Sequence, residues 1–193
     1  MVEIIQKEAP VLREIAKPVP LEMIGTPELN KILDDMKEAL ASQDDGVAIA
    51  APQIGVSLQI FVVSRRVFML DEEGKLIPNI PKEEAIKYKD VVYINPEIVN
   101  QSKSRRWVAE GCLSVRGLYG NTYRSEKATV RALDENGKKF VRGASGLLAQ
   151  IFQHETDHLK GILFHDHAEN LQEATPNEDQ EEFEEFEEET KEL

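Results

Sequence analysis

Two histidines flank an acidic residue in a segment that could hold a metal ion and a reactive water molecule. The segment reads His154-Glu155-Thr156-Asp157-His158. In a helix the two histidines lie one turn apart on the same face, so that both imidazoles can bind one metal ion. Glu155 then lies where its carboxylate can exchange a proton with a water molecule at that metal. The segment therefore predicts a hydrolytic metal site, provided that a third ligand exists.

The sequence offers three places for the third ligand. One class of such sites uses a histidine six residues after the second, but Phe164 holds that position and His165 misses it by one. Another class uses a glutamate from a later helix, and acidic residues are plentiful there. The third place is Cys112, the only cysteine, next to a glycine at the end of a predicted strand. Residue types alone leave the last two open, and a lone cysteine is often an inert buried residue.

A helix is the element that must position the two histidines. Apolar side chains recur at three- and four-residue spacing through residues 146–160, no proline interrupts them, and Gly161 follows as a stop. A second helix is predicted from Thr26-Pro27, which form an N-cap followed by a proline at the first helical position.

Strand patterns account for much of the remaining chain. We predict strands at residues 58–64, 91–94 and 96–100, and a hairpin over 127–141 that turns at 134–137. Residues 65–90 are polar and carry two prolines, so we expect an excursion from the body. Strands joined by tight turns, with few helices, predict an α+β fold in which antiparallel sheets surround the helix of the histidines.

Length and composition predict one soluble domain in a reducing compartment. The chain has 193 residues and one cysteine, which excludes an internal disulfide framework. No apolar run is long enough to span a membrane, and the first residues do not follow the pattern of a secretory signal. We therefore expect a cytoplasmic protein without a membrane partner.

The net charge of −13 is concentrated at the C-terminal end. Residues 169–193 contain twelve acidic residues and one lysine, so this segment carries −11 and the rest of the chain is nearly neutral. Neither part offers the basic footprint that binds phosphates, so we expect no direct contact with nucleic acid. We divide the chain into a catalytic domain, 1–168, and an acidic tail, 169–193, that is helical or disordered.

Three stretches, in order along the chain, resemble peptide deformylases. Residues 46–53 are similar to that family's glycine- and alanine-rich loop ending in glutamine. Residues 110–114, Glu-Gly-Cys-Leu-Ser, and residues 153–159, Gln-His-Glu-Thr-Asp-His-Leu, match two further family motifs. The resemblance implies an enzyme that removes the N-formyl group from the N-terminal formyl-methionine of newly made polypeptides and releases formate.

The resemblance also implies a role for each residue of the site. One divalent metal ion would be bound by Cys112, His154 and His158, with iron(II) favoured and zinc, nickel or cobalt as other occupants. Glu155 would be the general base, and the Gln53 amide and the Leu113 N–H would stabilise the developing oxyanion. An ion pair between Glu110 and Arg124 would support the site. The residues expected to bind the substrate are Gly46, Val47, Ala48, Gly111, Leu147 and Ile151.

Three positions depart from the family pattern, and alternatives to a deformylase remain. Ala48 stands where glycine is usual, and Tyr119 and His167 stand where many members have arginine. The alternatives are a zinc endopeptidase with a downstream acidic ligand, a catalytically impaired relative, and a structural metal anchor with His165 as fourth ligand. The family also implies a place near the ribosome, but the acidic tail here is not a basic ribosome-binding segment.

Overall fold

Two antiparallel sheets and two α-helices, joined by loops and short 3₁₀ helices, form the part of the chain that the computed structural model describes, residues 2–69 and 87–173. One sheet has five strands in the order β1-β2-β3-β6-β7, and the other has three in the order β4-β5-β8. The predicted α+β class is confirmed. The helices are α1 (Pro27–Ala41) and α2 (Gly146–His158), and the strands are β1 (Ala48–Ala50), β2 (Ile60–Val63), β3 (Val91–Gln101), β4 (Arg105–Gly111), β5 (Leu118–Ser125), β6 (Lys127–Leu133), β7 (Lys139–Ser145) and β8 (Glu169–Glu173).

Both faces of strand β2 are buried, which explains why this strand is apolar throughout. Side chains alternate between the faces of a strand. In β2, Ile60 and Val62 point to the cluster that contains the buried residues of α1. Phe61 and Val63 point to the cluster that contains the buried apolar residues of α2. One helix therefore covers each face of the five-stranded sheet.

Helix α2 lies between the two sheets. It contacts β1, β3, β6 and β7 of the larger sheet and β5 of the smaller one. Its predicted stop is confirmed: the helix ends at His158, and Gly161 has a positive φ of 74°. A Cβ at Gly161 would lie 2.6 Å from the carbonyl oxygen of Arg13, so only glycine lets the chain pass there. The two histidines are thus carried by a helix that both sheets contact.

Helix α1 starts as predicted. The Oγ of Thr26 accepts a hydrogen bond from the backbone N–H of Leu29 at 3.3 Å, and Pro27 is the first helical residue. Residues Leu29, Leu33, Met36 and Leu40 are buried along one side of this helix.

The strand predictions hold with one correction. The hairpin at residues 127–141 is confirmed as β6 and β7, but the two strands expected at 91–94 and 96–100 form the single strand β3. Asn95 has a positive φ of 50° within it, a conformation that asparagine tolerates. Its side-chain amide bonds both the N–H and the carbonyl of Val19, so the strand continues through the irregularity.

The predicted excursion and the acidic tail fall largely on residues 70–86 and 174–193, which lie outside the described residues. Residues Glu169–Glu173 of the segment assigned to the tail form β8, which pairs with β5. The division of the chain at residue 168 stays a prediction. Within the described ranges, none of the helices is long and apolar enough to cross a membrane.

Candidate metal centre

Cys112, His154 and His158 converge from two elements. Cys112 directly follows the last residue of β4, and the two histidines lie one turn apart at the end of α2. One ligand atom from each of the three residues lies within 4.8 Å of the other two. The Sγ of Cys112 is 3.2 Å from the Nε2 of His158. Of the two third ligands that residue types left open, the fold therefore brings the cysteine to the histidines.

This donor set fits a divalent metal ion. A thiolate and two imidazoles are ligands that zinc and iron bind in proteins, and three protein ligands leave a coordination position for water or substrate. Burial lowers the pKa of His158 well below its usual range, so its imidazole is neutral and has a lone pair to offer. The Nε2 of His165 lies 3.3 Å from Arg13 and 3.7 Å from Asp166, and His165 does not belong to this ligand group.

Glu155 is a buried carboxylate next to the ligands. The residue is 3 % exposed, and its Oε2 has no hydrogen-bond partner among the described residues. Burial raises the pKa of Glu155 to about 7. A buried carboxyl oxygen without a protein partner beside a candidate metal site is suited to bind a water molecule and to exchange a proton with it.

The amide of Gln53 is oriented by two hydrogen bonds. Gln53 lies in the turn that follows β1, where its Oε1 accepts from the backbone N–H of Ala50 at 2.8 Å. Its Nε2 donates to the Oγ of Ser114 at 3.1 Å and lies 3.7 Å from the Sγ of Cys112. Because the oxygen is engaged at Ala50, the N–H side of the amide faces the metal ligands.

Ser114 was not singled out from the sequence, although it closes the Glu-Gly-Cys-Leu-Ser motif. It is fully buried. Leu113, between it and Cys112, is also buried, and its carbonyl accepts a hydrogen bond from the Nε2 of Gln6 at 3.1 Å. The backbone N–H of Val115 closes a turn onto the carbonyl of Cys112 at 2.9 Å. These contacts hold the segment that carries the thiol.

Four of the residues expected to bind substrate lie in one apolar cluster on the α2 side of the larger sheet. These are Val47, Ala48, Leu147 and Ile151. Gly46 precedes this cluster, with its N–H bonded to the carbonyl of Gln43. Gly111 is opposite Tyr119 in the smaller sheet, and a Cβ at Gly111 would lie 2.6 Å from the Tyr119 ring. The two glycines therefore adjoin the cluster and the thiol, respectively.

The expected ion pair between Glu110 and Arg124 is present. The Nε and Nη2 of Arg124 donate to the two oxygens of Glu110 at 2.9 and 3.0 Å. The Nδ1 of His154 lies 3.1 Å from Glu110 Oε2. Burial alone would raise the pKa of Glu110, but the hydrogen bonds of His154 and Arg124 hold it well below its usual range. A carboxylate anion therefore lies directly behind one candidate metal ligand.

Comparison with known proteins gives a consistent result across sequence and structure. The family model described as polypeptide deformylase matches residues 1–174. A peptide deformylase of Symbiobacterium thermophilum is 41% identical over 184 residues, which are 94% of this chain and 73% of that relative. Two crystal structures of a class I type b peptide deformylase from Acinetobacter baumannii have a TM-score of 0.72 at 30% identity. The one bound to Met-Ala-Ser covers 86% of this chain and 97% of that chain, and the actinonin-bound one covers 88% and 99%.

Proposed function

This chain belongs to the polypeptide deformylase family and removes the N-formyl group from nascent peptides, and we propose that Cys112, His154 and His158 hold the metal ion for this reaction. The observation that carries the proposal is the approach of their three ligand atoms to within 4.8 Å of one another. When bound, a divalent ion supplies a Lewis acid and lowers the pKa of a coordinated water toward about 7. Thiolate and imidazole ligands suit iron(II), zinc, nickel and cobalt, and we favour iron(II) as the physiological metal.

Glu155 is the general base in this proposal. It takes a proton from the attacking water molecule and later delivers a proton to the amine nitrogen that leaves the formyl carbon. Two features support the assignment: Glu155 adjoins His154 on α2, and its buried Oε2 has no partner among the described residues.

The oxyanion is stabilised by two N–H donors. As water adds to the formyl carbon, that carbon becomes tetrahedral and its oxygen gains negative charge. The Nε2 of Gln53 is aimed toward the ligands because Ala50 engages the other end of the amide. The backbone N–H of Leu113 is the second proposed donor. Gln6 donates to the carbonyl of Leu113 and Gln53 donates to the Oγ of Ser114, and these two bonds hold the segment.

The methionine side chain of the substrate enters the apolar cluster beside α2. Val47, Ala48, Leu147 and Ile151 form the proposed wall, with Gly46 and Gly111 as backbone contacts. Ile151 lies one turn before His154 on α2, so an apolar side chain held there brings the N-terminal formyl group toward the ligands. The family match supports neither the endopeptidase nor the impaired relative as an alternative.

Replacing the cysteine tests the ligand assignment. We expect Cys112→Ser to lower the metal content of purified protein from about one ion per chain to less than half. Formate release from formyl-Met-Ala-Ser should fall with it, because a serine hydroxyl is a weaker ligand than a thiolate. Metal analysis and a formate assay on the same preparation check both results.

His165→Asn is the matched control, because His165 was the other histidine considered as a ligand and contacts Arg13 instead. Its metal content and formate release should stay at the wild-type level. Full metal occupancy in Cys112→Ser, or loss of the ion in His165→Asn, would remove the basis for this site.

We propose a cytoplasmic enzyme whose acidic tail is not needed for catalysis. A chain truncated after Ala174 keeps β8 and every assigned site residue. Its formate release from short formyl-peptides should stay within about twofold of wild type, because no proposed step uses the tail.

The tail carries most of the negative charge, and like charges repel over about 8 Å at physiological salt. Co-sedimentation of the truncated chain with ribosomes should therefore be unchanged or greater, and a loss of co-sedimentation would contradict this role.

A further inference from the structure

A row of charged groups continues behind His154, beyond the ion pair expected from the sequence. Arg124 uses two of its nitrogens for Glu110, and its third, Nη1, donates to Asp157 Oδ2 at 2.5 Å. The Nε2 of His167 lies 3.6 Å from the same oxygen of Asp157. The row therefore runs from the candidate metal ligand through a carboxylate, a guanidinium and a second carboxylate to an imidazole.

The inner part of this row is buried and the outer part reaches solvent. The side chains of Glu110 and Arg124 are 2% and 8% exposed, whereas those of Asp157 and His167 are 19% and 36% exposed. A cleft of about 320 Å³ opens on Arg124, Asp157 and His167. The row thus links the metal centre to a surface cleft.

Stability alone does not account for such a buried pair. Removing two charges from water carries a large desolvation penalty, so a buried ion pair is weak grounds for added stability. The geometry is instead suited to fix the orientation of the Glu110 carboxylate. Arginine's planar fork holds both oxygens of Glu110 and so fixes the plane of that carboxylate. One of these oxygens also meets the Nδ1 of His154.

Glu110, Arg124 and Asp157 lie on three different elements, which this row of charged groups connects. Glu110 lies on β4, Arg124 on β5 and Asp157 on α2, the helix of both histidines. Arg124 therefore binds the smaller sheet to the metal-binding helix. With Nδ1 of His154 bonded to a carboxylate, its proton is kept on that nitrogen and Nε2 is left to bind a metal ion.

We propose that Arg124 and Asp157 are positioning residues, which act through Glu110 to hold the His154 imidazole in its metal-binding tautomer and orientation. The inference rests on the proposed function, since it concerns the same metal ligand. It assigns to Asp157 a role that its place between Glu155 and His158 does not reveal. The effect of a substitution on metal affinity should therefore be smaller for Asp157, which lies farther along the row from His154.

Cobalt(II) binding by the folded apoprotein tests this order. Outer partners of metal ligands typically change metal affinity by about 10- to 100-fold. We expect Kd increases of about this size for Glu110→Gln and Arg124→Lys, and a smaller one, about three- to tenfold, for Asp157→Asn. Chelator competition gives Kd, and the visible cobalt spectrum, which depends on ligand geometry, should change in the same order. Heat denaturation of each apoprotein reports stability separately.

Arg131→Lys is the matched control, because Arg131 forms an exposed ion pair with Glu97 on neighbouring strands. Its Kd should remain within about twofold of wild type. Asp157→Asn is nearly isosteric and keeps an acceptor for Arg124, so its result stands even if the buried variants do not fold. Wild-type affinity and spectrum in Asp157→Asn, or an equal loss in Arg131→Lys, overturns the inference. A wild-type protein that binds no cobalt overturns the proposed metal site as well.

Discussion

Replacement of Glu155 with alanine is expected to reduce kcat by about 10²- to 10⁴-fold, which corresponds to roughly 3–5 kcal/mol of activation free energy. The physical reason is that the variant lacks the carboxylate proposed to move the proton from water to the leaving amine. The carboxylate is not one of the three proposed ligands, so metal content and fold should be retained. Steady-state formate release at saturating formyl-Met-Ala-Ser, with metal analysis of the same sample, measures this effect.

Glu126→Ala is a suitable control for the Glu155 variant. Glu126 is an exposed glutamate that accepts a hydrogen bond from the Oγ of Ser104, in the turn after β5. Its removal should leave kcat unchanged. A Glu155→Ala enzyme that keeps its metal and retains more than about a tenth of the wild-type rate would show that another group moves the proton.

Replacement of Gln53 with alanine is expected to lower kcat by about 10²- to 10³-fold with little change in KM, the effect of losing one oxyanion donor. The amide is held by Ala50 and Ser114 in the absence of substrate, so its donor needs no reorganisation when charge develops. In the proposed mechanism, the contact between this donor and the formyl oxygen strengthens only as that oxygen becomes negative. Separate determination of kcat and KM on short formyl-peptides checks this.

Gln59→Ala provides the comparison for the Gln53 variant. Gln59 is a partly buried glutamine, and its amide donates to the carbonyl of Ala16. Its loss should leave both kinetic constants near their wild-type values. If Gln53→Ala raised KM and left kcat unchanged, Gln53 would bind substrate in the ground state and would not be an oxyanion donor.

Local sequence patterns were sufficient to predict both helices and several of the strands. The apolar spacing before His154 predicted α2, and Thr26-Pro27 predicted the start of α1, because both depend on contacts within a few residues. The continuous strand β3 was predicted as two strands. Its irregularity at Asn95 is stabilised by Val19, which lies 76 positions away, so no local sequence pattern predicts that the strand continues through Asn95.

The hydrogen-bond partners of the site residues were harder to predict from the sequence than the helices and strands. Ser114 orients Gln53 across 61 positions, and Arg124 meets Asp157 across 33. These contacts join polar side chains on different elements, and many serines and acidic residues along the chain could have filled either place. Only the packing of β4, β5 and α2 selects among them.

The sequence by itself determined the two histidines and the glutamate of the site, since the helical repeat of 3.6 residues places the histidines on one face wherever the helix lies. It also determined the family, through three motifs in order. Residue types left the third donor open, and the family motifs implied Cys112. The tertiary structure provides the contact itself: Cys112 meets His158 across 46 positions because β4 ends beside α2. It likewise decided the orientation of Gln53 and of the charged row behind His154. Short-range geometry is set by backbone dihedral angles, whereas these long-range contacts depend on how the sheets pack around the helix.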